Sequence, residues 1–73
     1  MKNPAAVAQQ IAYLAGGNHS HRYITRAVEL IGYYHRVDPD FDSVRAELVK
    51  RYGLASKMVK PVFIEAAISK LNS

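Results

Sequence analysis

Apolar residues recur at helical spacing in four stretches of this chain, separated by polar or glycine-bearing breaks. In the first stretch Val7, Ile11 and Leu14 fall at i, i+4 and i+7, with Ala8 and Ala15 beside them. That spacing predicts a helix over residues 4–15. Asn3 supplies an N-cap, Pro4 suits the first helical position, and Gly16-Gly17 is a stop. The apolar face is narrow and rich in alanine, so this helix is expected to bury little and to be an accessory to the core.

The second stretch is the most regular. Ile24, Val28, Ile31 and His35 follow i, i+4, i+7 and i+11, flanked by Ala27 and Tyr34. Ser20 is the expected cap, and Arg22, Arg26, Glu29, Tyr33 and Arg36 take the opposite face. Gly32 inside this helix costs about 1 kcal/mol relative to alanine, with no reason for it visible in the sequence. Asp38-Pro39-Asp40 then ends the helix, with Asp38 as expected cap and Pro39 as first residue of the next. Asp40 and Asp42 place negative charge at its positive end. Phe41, Val44, Leu48 and Tyr52 form the third stripe, Gly53 supplies a left-handed stop, and Leu54 can fold back onto it.

The last stretch, residues 61–71, places Ile64, Ala67, Ile68 and Leu71 on one face, with Val62 and Phe63 off it. A helix apolar on more than one side is the one around which others pack. Its start is open between Ser56 and Pro61. The pattern predicts an all-α fold in one domain over residues 1–73. Its core is compact and trihelical, like a helix-turn-helix, with a short additional N-terminal helix.

Length and composition narrow the class. The chain has 73 residues, no cysteine and 49% hydrophobic content, so stability has to come from packing rather than disulfides or thiolate–zinc sites. No apolar run approaches the roughly 20 residues that span a bilayer. The Met1-Lys2-Asn3-Pro4 start does not read as a secretory signal, so no membrane association and a cytoplasmic location are expected.

Charge singles out one segment. Residues 45–60 carry Arg45, Lys50, Arg51, Lys57 and Lys60 against Glu47, five minus one, which equals the whole net charge of +4. Such a block at a helix junction favours an anionic partner, either phosphate or an acidic protein surface. Lys50 and Arg51 suit a helix C-terminus, whereas Lys57 and Lys60 precede a helix N-terminus, where cations are unfavourable. Residues placed against local preference point to function. The Arg22, Arg26, Tyr33 and Arg36 face is a second candidate, because arginine and tyrosine are enriched at binding hot spots. Its alternative is a solvated helix surface.

Other constellations dissolve on inspection. His19, His21 and His35 lack the convergence that a metal site needs. Asp38-x-Asp40-x-Asp42 opens like a calcium loop, but Ser43 and Val49 stand where that loop needs glycine and glutamate. No nucleophile with a base, and no phosphate-cradling glycine loop, is present. A monomeric binding protein without catalytic activity, metal or cofactor is expected.

Two resemblances sharpen the partner. Ile24-x-x-Ala27-Val28-x-Leu30 and Glu47-Leu48-Val49-Lys50-Arg51-Tyr52 resemble the three-helix core of winged-helix and linker-histone domains over about two-thirds of the chain. That resemblance implies DNA contact, yet the chain closes at Ser73 without room for a wing. Taken whole, the short, basic, helical, cysteine-free chain with its Met1-Lys2-Asn3-Pro4 start is similar to small RNA-polymerase-binding transcription regulators of lytic Xanthomonas phages. This second resemblance implies binding to the β′ subunit in the host bacterial cytoplasm, inhibited initiation and an effect on termination. The expected function is therefore a non-catalytic transcription regulator. A small DNA-binding protein and an accessory or antitoxin-like binding module are the alternatives.

Overall fold

Local capping fixes where each helix begins. In the computed structural model, which describes residues 2–73, the Asn3 side chain accepts the Ala5 N–H at 2.8 Å. Pro4 follows as the first residue of α1 (Pro4–Ile11). A single 3-10 turn, Ala12–Leu14, takes over from there, so the α-helix is shorter than the spacing predicts. The Ser20 hydroxyl accepts the Tyr23 N–H at 3.1 Å and starts α2 (His21–Val37) as expected.

The next start shifts by two residues. Asp40, not Asp38, caps α3 (Phe41–Tyr52), its Oδ2 accepting from the Ser43 amide at 3.1 Å and the Ser43 hydroxyl at 2.8 Å. Asp38 instead accepts the Asp40 N–H at 3.1 Å, holding the turn that presents the cap. Gly53 ends α3 at φ +67°, and the Leu54 N–H reaches back to the Leu48 carbonyl at 3.2 Å. Leu54 is buried, as its fold-back predicts. The last helix, α4 (Pro61–Leu71), begins at proline, which loses no hydrogen bond at the first position.

The four helices close over one core. Phe63, Ile64 and Ala67 of α4 are fully buried among Ala27, Val28 and Ile31 of α2, Leu48 and Val44 of α3, and Val7, Ala8 and Ile11 of α1. The narrow face of α1 does not make it peripheral. Three of its eight residues are buried, and it packs against both α2 and α4. Small Ala8, fully covered, lets the backbones approach. The stripe on α4 is rotated from its predicted position: Phe63 joins the core, while Ile68 is only half-buried and Val62 is exposed. In α3, likewise, Phe41 is half-buried and Tyr52 exposed, at the edge of the stripe rather than inside it.

The result is an all-α globule of 26 × 24 × 17 Å, with no strand, and so no wing, among the described residues. Among the described residues no helix is long and apolar enough to cross a membrane.

Candidate functional site

Residues 54–60, between α3 and α4, carry two of the five basic residues of the charged segment. Two apolar side chains anchor this loop from beneath: Met58 and Val59 are fully buried, although neither lies on a helical stripe. Three contacts from other elements fix its backbone. Arg45 of α3 donates from Nε to the Val59 carbonyl at 3.0 Å and from Nη2 to the Ser56 carbonyl at 3.2 Å. The Tyr23 hydroxyl of α2 accepts the Ala55 N–H at 3.1 Å. Gly16 lies so close to the Lys57 carbonyl that a Cβ there would overlap its oxygen.

Lys57 and Lys60 stand exposed on this anchored backbone, with no acidic partner among the described residues. The Lys60 stem crosses Gly16, with its Cε 3.2 Å from where a Cβ would be. Lys60 is also the N-cap of α4 and gives no side-chain cap, the position where Ser, Thr, Asp or Asn is preferred. Lys57 lies in the preceding turn rather than in a helix.

The five basic residues of this segment therefore separate. Arg45 is half-buried, and two of its five N–H donors serve the loop. Lys50 is exposed near the end of α3. Arg51 pairs with Glu47 one turn back at 3.4 Å. Its guanidinium is held above the ordinary arginine value, first by a hydrogen bond with the Tyr34 side chain and then by the Glu47 charge.

Arg51 belongs with a tyrosine cluster that joins α2 to α3. The Tyr34 and Tyr52 hydroxyls are 2.9 Å apart, and their rings meet edge-on at 5.7 Å between centroids. Tyr33 stands edge-on to Tyr34 at 5.2 Å and is 59% exposed. The Tyr52 phenol titrates above its ordinary value because of the Tyr34 hydrogen bond and, next, burial. So Tyr33 from one predicted face and Arg51 from the other share one neighbourhood through Tyr34. Arg22 and Arg26 are exposed on α2. Arg36 lies at a shallow groove of about 220 Å³ with Pro4, Val28, Glu29, Gly32, Tyr33 and Leu71. Gly32 is buried and lines that groove, the surroundings that the sequence does not show.

The histidines serve separate local contacts. His19 stacks on Tyr23 at 4.7 Å, His21 lies 3.4 Å from the Thr25 hydroxyl, and His35 packs near Phe41. Among the described residues no three metal-ligating side chains converge.

The residues whose part in the loop the sequence did not show are Tyr23, Gly16, Met58 and Val59. An apolar Met-Val pair inside a basic loop was the available signal for burial there. The contacts to Arg45, Tyr23 and Gly16 have no periodic signature, because they join residues 11 to 41 or so positions apart. No protein-family model, curated protein or solved structure matches this chain.

Proposed function

We propose that this protein is a non-catalytic transcription regulator that binds host RNA polymerase through an acidic protein surface and inhibits initiation. The similarity to lytic-phage regulators supplies the enzyme and its β′ subunit. The allocation of charge supplies the mode of contact. Of the five cations in residues 45–60, Arg45 is turned inward to the loop and Arg51 is shared with Glu47 and Tyr34. Lys50, Lys57 and Lys60 remain to face a partner.

That division is the observation that carries the reading. Duplex DNA binding by phosphate neutralisation commonly uses about 6–10 phosphate contacts, each lost as salt rises. The three lysines of this segment are few for that purpose by themselves, but enough to steer and register a protein interface. The exposed tyrosines offer apolar area of the kind that carries affinity at such interfaces.

Titration at about 150 mM salt, near the ionic strength where charge is screened beyond roughly 8 Å, tests the choice. Purified bacterial RNA polymerase should bind, and random or promoter duplexes should bind weakly and without preference. Tight, sequence-selective duplex binding would instead favour the small DNA-binding protein. Capture of an unrelated enzyme without polymerase would favour the accessory module.

A further inference from the structure

We infer that Arg45 is a positioning residue, which holds residues 54–60 so that Lys57 and Lys60 form one preorganised cationic element for a pair of carboxylates on an acidic protein segment. The inference rests on the reading that this face meets a protein partner, and it adds how the face is made specific.

A loop bearing two lysines would ordinarily sample many arrangements, and ordering it on binding would cost affinity. Here the order is built in before any partner arrives. The Arg45 fork donates to two carbonyls of the loop, at Ser56 and Val59, on either side of Lys57 and immediately before Lys60. Tyr23 holds the amide at the loop's beginning, and Gly16 presses against the Lys57 carbonyl from the opposite element. Met58 and Val59 point inward and are fully covered, so Lys57 and Lys60, which flank them, are turned outward together. The two ammonium groups thus belong to one short, anchored segment, and among the described residues neither forms an ion pair with an acidic side chain.

The fork geometry is specific to arginine. A lysine at position 45 would keep the charge but present a single ammonium, which cannot reproduce the planar pair of donors. Charge and positioning can therefore be separated by one substitution. An acidic polypeptide is favoured over nucleic acid because the anchored backbone carries only two cations, which suits neighbouring carboxylates rather than a run of phosphates.

The test compares the parent, Arg45→Lys and the double variant Lys57→Gln/Lys60→Gln. Each is followed by amide hydrogen exchange and by binding to two probes, a hexaglutamate peptide at low salt and purified bacterial RNA polymerase. Arg45→Lys is expected to speed exchange at Ala55–Lys60 at least tenfold and to weaken peptide binding at least threefold at unchanged net charge. Lys57→Gln/Lys60→Gln, altered only at exposed side chains, should keep parental exchange and lose peptide binding altogether. Parental peptide affinity in either variant would overturn the inference, as would unchanged exchange in Arg45→Lys. Stronger binding of the parent to a hexanucleotide than to hexaglutamate would overturn the choice of an acidic polypeptide. If the peptide results follow expectation and polymerase fails to bind, the positioning role stands and the polymerase reading falls.

Discussion

The hydroxyl of Tyr23 accepts the backbone N–H of Ala55 at 3.1 Å, across 32 positions of sequence. This one hydrogen bond ties the first turn of α2 to the start of the loop between α3 and α4. It works with the His19 ring, which stacks on Tyr23 at 4.7 Å and restricts the phenol's motion.

Tyr23→Phe removes the acceptor and keeps the ring. The Ala55 amide then loses its partner in a half-buried position, and a stability loss of about 1–3 kcal/mol is expected. Urea unfolding measures the loss, and amide exchange should localise the loosening to residues 54–60. A variant as stable as the parent would show that water replaces the phenol without cost.

Leu48→Ala should cost about 2–5 kcal/mol, because Leu48 is fully buried in the core where α3 packs with α2 and α4. Ile68→Ala should cost clearly less, since Ile68 packs at the edge of the core and stays half-exposed. Equal losses at the two sites, read from reversible denaturant melts, would contradict the rotation of α4 described above.

The helical spacing made most of the architecture legible and left most of the site hidden. Ser20, Asn3 and Gly53 could be recognised because caps act on their immediate neighbours, within the reach of a local pattern. The error at Asp38 has the same scale. Two aspartates flank Pro39, and the hydrogen bond from Ser43 decides between them. Phe63 and Ile68 traded places because a helix apolar on several sides fits more than one rotation, which only its neighbours settle. Arg45 looked like one more surface cation, because nothing in a charge count tells that a guanidinium donates to carbonyls 11 and 14 residues away.

Gly16→Ala and Gly53→Ala should separate two uses of glycine. At Gly16 the added methyl would overlap the Lys57 carbonyl oxygen, a backbone atom that cannot step aside alone. At Gly53 nothing lies within 4 Å, and only the left-handed φ of +67° is strained. Gly53→Ala should therefore lose about 1 kcal/mol, and Gly16→Ala distinctly more. Thermal melts of the two variants give the order, which the opposite ranking would refute.

Lys60→Asp should raise stability while weakening partner binding. Aspartate at the N-cap of α4 supplies the side-chain acceptor that Lys60 lacks, worth about 0.5–2 kcal/mol. It also favours the positive helix end. A stability gain with unchanged affinity for RNA polymerase would show that the lysine is neutral to binding.

Stability should fall in alkaline solution partly through Tyr52. Its phenol is raised in the folded chain, so the unfolded state loses this proton first as pH climbs past about 10. The folded state then binds more protons than the unfolded one, and the contribution is complete below that pH and lost above it. Tyr52→Phe should be less stable than the parent at pH 8, because the Tyr34 hydrogen bond is gone. It should also decline less steeply above about pH 10. Parallel decline in denaturant midpoints of the two proteins would exclude this coupling.

The Lys2 N–H donates to the Leu71 carbonyl at 3.0 Å, so positions near the two ends of the described chain are neighbours in space. Any polypeptide or label added at both ends leaves from one side of the globule, well placed for energy transfer in the folded state and separated on unfolding. The same proximity makes circular permutation practical. A short glycine linker could join the ends, with new termini opened in the turn between α2 and α3. The chain would then run through α3, residues 54–60 and α4 without interruption, and the order of synthesis could be changed while the lysine-bearing loop keeps every anchor.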